Sequence, residues 1–185
     1  MLVAIAAVPA AAYTYNRQAA ADYALNNAYK NVPGSWHFRD NGGDCTNFVS
    51  HSLKAGGWRE IGGWSHTSDD VWFYDYPYRY GYSHTWTHAD KFYHFMSRTS
   101  RANPVSVKRN SYLLQVGDVV QIDYKDRYGN YGSWDHTMIV TAKAGNKLFM
   151  SYHTKDTGNR ALSAIRQESP NARFIGWHIH NNYNY

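Results

Sequence analysis

Hydrophobic residues recur at helical spacing in the first half of the chain. Residues 15–30 are rich in Ala and contain neither Gly nor Pro, so their pattern predicts a helix. A second helix is predicted from Cys45 to Ala55, because Asp44 suits its N-cap and two glycines follow it. A third helix is predicted over 87–100, where Phe and Met residues share one face.

After residue 104 the hydrophobic residues recur at every second position, which is the period of a β-strand. The pattern predicts four strands, over 119–124, 136–143, 147–153 and 173–180. Helices first and an antiparallel sheet afterwards indicate an α+β domain with its N-terminal helices packed on the sheet. The segment 64–94 is rich in His and Tyr and matches no motif, so the sequence assigns it no role.

The composition is that of a folded domain. The chain has 185 residues, of which 43% are hydrophobic and 17% aromatic, unlike a disordered segment. We therefore expect one domain over 13–185. The mean hydropathy is −0.65, and no apolar run approaches the ~18 residues of a membrane span. The net charge of +5 is scattered along the chain, so no specific nucleic-acid surface is predicted.

Residues 1–12 are apolar and rich in Ala. We interpret them as the remnant of a secretory signal or as an N-terminal arm, and we expect a secreted, monomeric protein. The chain has a single Cys, which excludes a disulfide scaffold. In an exported protein such a lone thiol points to a chemical role.

That thiol belongs to Cys45, in the first turn of the second predicted helix. The unpaired N–H groups and the positive end of a helix favour a thiolate there, as a nucleophile requires. The backbone N–H of Cys45 is also a candidate oxyanion donor. The alternative is a buried, inert Cys.

A Cys nucleophile needs a His as base, and ten histidines compete for that role. His51 faces another side of the same helix as Cys45. His136 begins a predicted strand, where a substrate can reach it, and is the preferred base. If Gly145 and Asn146 form a two-residue turn, His153 lies diagonal to His136 on the same face and can orient it. A shifted register would instead favour Asp156, the reserve third member.

The segment 43–50, with sequence Gly-Asp-Cys-Thr-Asn-Phe-Val-Ser, resembles the bacterial putative amidase domain family. The match includes the preceding Ala-rich helix and Ala-Gly-Gly-Trp at 55–58, and it continues through 114–120, 135–140 and 151–156. The family is related to the papain-like group that includes the CHAP and NlpC-type cell-wall hydrolases. The resemblance therefore implies a papain-like fold.

The resemblance also implies the residues that carry the chemistry. Cys45 corresponds to the nucleophile, His136 to the base, and His153 to the polar residue that orients the base. In papain-like relatives a side chain upstream of the Cys supplies a second oxyanion donor, for which Asn41 is the candidate here. The implied reaction is hydrolysis of a peptide amide in bacterial peptidoglycan, with no cofactor. Trp134 and Trp58 are the candidate aromatic residues for substrate binding.

Two other functions compete with this interpretation. His178 and His180 lie on one face of a predicted strand, at a spacing that metal sites use, with Asp123 or Asp135 as a further ligand of a metal hydrolase. Alternatively, the aromatic residues and positive charge suit a non-catalytic module that binds an anionic cell-wall glycan. Our preferred prediction remains the cysteine amidase, with no metal.

Overall fold

The centre of the molecule is an antiparallel sheet that carries helices on both faces. The computed structural model describes residues 13–40, 43–74, 81–126 and 128–183. The N-terminal segment 1–12, predicted to be a signal remnant or arm, lies outside the described residues, and so does Asn41.

The helices differ widely in length. They are α1 (Arg17–Asn27), α2 (Ser35–Phe38), α3 (Cys45–Ala55), α4 (His84–Thr87), α5 (Ala89–Arg98), α6 (Val107–Asn110) and α7 (Leu162–Glu168), with a 3₁₀ turn at Ser111–Leu113. The strands are β1 (Tyr13–Thr14), β2 (Ala102–Ser106), β3 (Val119–Asp123), β4 (His136–Ala144), β5 (Lys147–Tyr152), β6 (Thr157–Ala161), β7 (Arg173–Ile179) and β8 (Asn182–Tyr183). Among the described residues, no helix is long and apolar enough to cross a membrane.

Six strands form the main sheet in the order β2-β7-β3-β4-β5-β6, and every neighbouring pair is antiparallel. The predicted α+β class is therefore confirmed. The strand β2, which the sequence pattern did not predict, contains Pro104 and lies at one edge. Proline cannot donate a backbone hydrogen bond, so an edge strand is where a sheet tolerates it.

Strand alternation divides the hydrophobic core into two. Ile139 of β4 packs with α3 and the tryptophans of the helical side. Met138 and Val140, its neighbours in the same strand, face the other side and pack with Leu162 and Ile165 of α7. Each face of the sheet is therefore covered, and a shift of one residue in register would exchange the two environments.

The helix α3 has the predicted bounds. Every residue from Cys45 to Leu53 is buried, so this helix is central rather than amphipathic at the surface. It ends before Gly57, whose φ of 86° lies in the left-handed region that favours glycine. The prediction for α1 was too long: the helix begins at Arg17, because the side chain of Asn16 caps it by accepting from Ala19 N at 3.0 Å.

The hairpin of β4 and β5 follows the predicted register only near its turn. Ala144 pairs with Lys147, as expected for the two-residue turn. A β-bulge between Val140 and Ala142 then shifts the register by one residue, so that Ile139 pairs with Ser151. A bulge leaves one extra residue on its strand, so beyond Thr141 the partners lie on the opposite face from the one predicted.

Candidate active site

The thiol of Cys45 lies at the first residue of α3, against the start of β4. Its side chain is buried, and its sulfur lies 3.8 Å from Oγ1 of Thr46. Thr46 in turn shares a hydrogen bond of 2.9 Å with Oγ1 of Thr137, the residue that follows His136 in the strand. This contact joins the beginning of the helix to the beginning of the strand.

Two opposing effects act on the pKa of the Cys45 thiol, and burial is the larger. Burial raises this pKa above its ordinary value, because a buried thiolate loses its hydration. Hydrogen bonds from the backbone of Thr137, from the side chain of Thr46 and from its backbone lower the pKa, and the nearby charge of Asp44 raises it. The net shift is upward, so these effects together do not produce the thiolate expected from the sequence.

The imidazole of His136 is partly buried at the first position of β4. Burial lowers its pKa to about 4, while the negative charge of Asp135 raises it. The ring lies edge-on against the ring of Tyr152, with centroids 4.9 Å apart. Among the described residues, neither ring nitrogen of His136 makes a hydrogen bond, so both remain open to a reacting group.

A cavity of about 470 Å³ opens beside His136. Tyr124, Asp135 and Tyr152 line it together with charged residues of the β6–α7 region. Burial raises the pKa of Tyr124, and negative charge on Tyr152, Asp135 and Cys45 raises it further. Tyr124 therefore lines the cavity and also lies within electrostatic range of the thiol.

The expected role of His153 is wrong. Because of the bulge, its side chain lies on the helical side of the sheet, is fully buried and stacks on Phe48 at 4.1 Å. Its Nδ1 lies 2.6 Å from a carboxylate oxygen of Asp44, and its Nε2 lies 3.0 Å from the carbonyl oxygen of Asn27. Both ring nitrogens therefore have buried partners, and neither is free to orient His136.

Asp44 is the centre of a buried polar network at the start of α3. It occupies the N-cap position, but its side chain makes no capping hydrogen bond. Instead its carboxylate accepts from Oγ of Ser35 and from Nδ2 of Asn47 at 2.8 Å, in addition to His153. Asp44 and His153 therefore form a buried, hydrogen-bonded pair at the centre of this network.

Asp156, the reserve third member, is also removed from His136. Its carboxylate binds the guanidinium of Arg39 with contacts of 3.0 and 3.1 Å. The observed register shift runs in the opposite direction from the one that would have favoured it. Asp135 is instead the carboxylate whose charge acts on His136.

The two candidate aromatic residues have different environments. Trp58 is only 1% exposed and packs against Trp72 and Phe95 in the core, so its expected role in substrate binding is wrong. Trp134 is partly exposed and stacks on Tyr93, with ring centroids 4.8 Å apart. It lines a second, larger cavity rather than the one beside His136.

The histidines of the competing metal hypothesis have structural partners. Nδ1 of His178 lies 2.8 Å from the buried carboxylate of Asp118, and Asp123 forms an ion pair with Arg173. Within the described ranges, no group of three His, Cys, Asp or Glu residues is arranged to hold a metal ion.

Sequence reasoning missed Tyr124, Tyr152 and Thr137, which surround His136 and Cys45. The side chain of Tyr152 faces His136 because of the bulge, and the pattern of alternate residues does not indicate a bulge. Thr137 was within reach of prediction, because a residue next to His136 must face the opposite side of the strand, toward the helix.

Comparison with known sequences identifies the family of this chain. The chain belongs to the putative amidase domain family, whose model matches residues 14–177. It is similar to two proteins of Bacillus subtilis (strain 168) that are described as uncharacterized, YjcM and YhbB. The identity is 30% over 168 residues for YjcM, covering 82% of this chain and 37% of the relative. For YhbB it is 29% over 171 residues, covering 91% and 51%.

The chain thus spans about half the length of these relatives or less. No solved structure matches the chain.

Proposed function

We propose that this domain is a cysteine-dependent amidohydrolase of papain-like organisation, with Cys45 as nucleophile and His136 as base. The observation that carries the proposal is the junction of α3 and β4. There the backbone of Thr137, the residue after His136, hydrogen-bonds the sulfur of Cys45. The sulfur thereby contacts the residue next to His136, and His136 itself lines a cavity.

The protonation states support a neutral pair that reacts only when substrate is bound. With the pKa of His136 lowered to about 4 and that of Cys45 raised, both groups are neutral at neutral pH, and the shifts oppose transfer of the thiol proton before attack. The proton therefore moves to His136 as the sulfur attacks a bound substrate. The sulfur attacks the amide carbonyl, an S–C bond forms, and the thiol proton passes to His136. As the C–N bond breaks, His136 gives that proton to the leaving amine.

Water completes the reaction. His136 takes a proton from water, the hydroxide attacks the thioester, and Cys45 recovers its proton as the acid is released. The backbone N–H of Cys45 is in the first turn of α3, where helical N–H groups have no intrahelical partner, and is our candidate oxyanion donor. The second oxyanion donor that we propose is Asn41, which lies outside the described residues.

The proposed substrate is a peptide amide of bacterial peptidoglycan, hydrolysed outside the cell. The cavity beside His136 supports a short charged peptide, because its lining includes Lys155 and Arg160 as well as Asp135 and Glu168. Stem peptides carry both carboxylates and amines, so a wall with both signs of charge suits them. Glu168 and Arg160 pair with each other, and Lys155 remains available to a carboxylate.

The test is release of free amines from purified peptidoglycan by the wild type and by Cys45→Ser. Serine keeps the size of the side chain but is far less nucleophilic, so we expect a loss of at least about 10³-fold in kcat with unchanged folding. His136→Ala should lose a comparable factor. The matched control is His94→Ala, because His94 is a half-exposed histidine far from Cys45 in sequence whose contact is with Asp90.

Three results bear on the alternatives. Full activity of Cys45→Ser would refute the thiol mechanism. Loss of activity only on addition of a chelator would favour a metal hydrolase. Binding to peptidoglycan by all variants without release of amines would show a module that does not catalyse this reaction.

A further inference from the structure

A second cavity, larger than the one beside His136, has no part in the proposed chemistry. It has a volume of about 910 Å³ and lies between α7, the edge strand β2 and the first half of β7. It shares only Ser169 with the cavity beside His136. Ile165 and Glu168 of α7 face the smaller cavity, whereas Ser163 and Arg166 face the larger one. The helix therefore separates two adjacent cavities.

The charge of this larger cavity has one sign. Its described lining includes Lys108, Arg166 and Arg173 and no acidic residue. Arg173 is held by an ion pair with the buried Asp123. Lys108 and Arg166 are exposed and form no ion pair with any described residue. Two cations without protein partners thus line a concave surface, which is the electrostatic condition for binding an anion.

The same cavity has an aromatic wall of fixed orientation. Tyr131 is 39% exposed, and its hydroxyl donates to the carbonyl oxygen of Asn171 at 2.6 Å. The guanidinium of Arg173 lies over the Tyr131 ring, 4.3 Å from its centroid, and 5.8 Å from that of Trp134. Trp134 is itself held by its stack on Tyr93. The rings are therefore ordered before any ligand arrives, which lowers the entropic cost of binding.

We propose that this cavity binds an anionic glycan, meaning a chain of sugar rings that carries carboxylate groups. The C–H face of a sugar ring packs on the exposed ring of Tyr131 and the edge of Trp134. The carboxylates pair with Lys108 and Arg166. An acidic peptide would satisfy the cations but not the aromatic wall, and a neutral glycan would satisfy the rings but leave the cations unpaired. This proposal is separate from the amide hydrolysis proposed above, since it concerns binding alone.

Binding of short oligogalacturonate to the Cys45→Ala protein, measured by calorimetry at low salt, tests the proposal without any catalytic step. Lys108→Ala/Arg166→Ala should raise Kd about tenfold, as two exposed charge contacts would. Lys30→Ala/Lys147→Ala removes the same charge from exposed positions outside both cavities, and should change Kd less than about twofold. Tyr131→Ala should raise Kd about threefold, whereas Tyr131→Phe, which keeps the ring, should not.

Two further ligands, each lacking one of the two recognised features, test the class of ligand. Polyglutamate supplies carboxylates without sugar rings, and chito-oligosaccharide supplies rings without negative charge. The proposal requires both to bind more weakly than oligogalacturonate. The proposal would be overturned if polyglutamate bound as tightly as oligogalacturonate, or if oligogalacturonate did not bind at all. It would also be overturned if both double variants raised Kd for oligogalacturonate by the same factor.

Discussion

The buried pair of His153 and Asp44 gives the sharpest prediction about stability. In His153→Ala the side chain of Asp44, which is 0% exposed, keeps its hydrogen bonds from Ser35 and Asn47 and its contact with Arg39 at 3.8 Å, but loses its partner at 2.6 Å. Removing one partner of a buried pair of ionisable groups costs about 3–5 kcal/mol, because the other group stays buried without that partner. The carbonyl of Asn27 also loses its donor. We therefore expect the free energy of unfolding to fall by about 4 kcal/mol.

A second substitution separates the effect of leaving Asp44 without its partner from the effect of the lost packing of His153. In the double variant His153→Ala/Asp44→Asn the buried carboxylate is replaced by a neutral amide, so about 2 kcal/mol should be recovered. Urea unfolding followed by tryptophan fluorescence measures both variants, and equal slopes would show that the same surface is exposed.

A loss of less than about 1 kcal/mol in His153→Ala would refute this prediction, and so would a further loss of stability when Asp44→Asn is added to it.

Three further predictions follow from pKa shifts and backbone conformation. Because the pKa of His136 is about 4, the acid limb of kcat/KM should lie near pH 4, and a limb near 6.5 would refute its assignment as a buried base. Burial lowers the pKa of His51 to about 4, so the folded protein binds this proton more weakly than the unfolded chain does. The contribution of His51 to the free energy of unfolding is complete above about pH 6.5 and falls by about 3 kcal/mol toward pH 4. Urea unfolding at several pH values should therefore show a smaller loss of stability in His51→Gln than in the wild type. Gly43→Ala should lower the free energy of unfolding by about 1–2 kcal/mol, because φ of Gly43 is 110° and a Cβ there would lie 2.9 Å from the side chain of Thr154. The control Gly62→Ala has open space around the new Cβ and should change the free energy of unfolding by less than about 0.5 kcal/mol.

Local signals explain which parts of the fold could be predicted. The bounds of α3 were correct because glycines end the helix and Asp44 precedes it. The turn between β4 and β5 was correct because Gly145 adopts a positive φ of 57° there. By contrast, β2 was missed because Pro104 argues against a central strand, and only the order of the sheet shows that this strand is an edge.

One unpredicted residue accounts for the main error in the candidate site. The bulge at Thr141 exchanges the faces of all positions beyond it in the hairpin, so Tyr152 meets the ring of His136 and His153 turns to Asp44. Thr141 itself has polar partners on β5 and on β6, the strand beyond it: Ser151 at 2.8 Å and Asn159 at 2.8 Å. A bulge is decided by such long-range contacts, which a pattern of alternate residues does not contain.

The same comparison changes how Cys45 should react. From sequence, a helix terminus predicts a thiolate, but such a terminus contributes about 0.3–1 kcal/mol at exposed sites and up to ~2 kcal/mol when partly buried. Burial acts against this stabilisation, since the pKa of the thiol is raised despite hydrogen bonds from Thr46 and Thr137. A preformed thiolate–imidazolium pair would also require His136 to hold a proton that burial removes. In the mechanism that we propose, the thiol proton therefore moves only as the sulfur attacks a bound substrate.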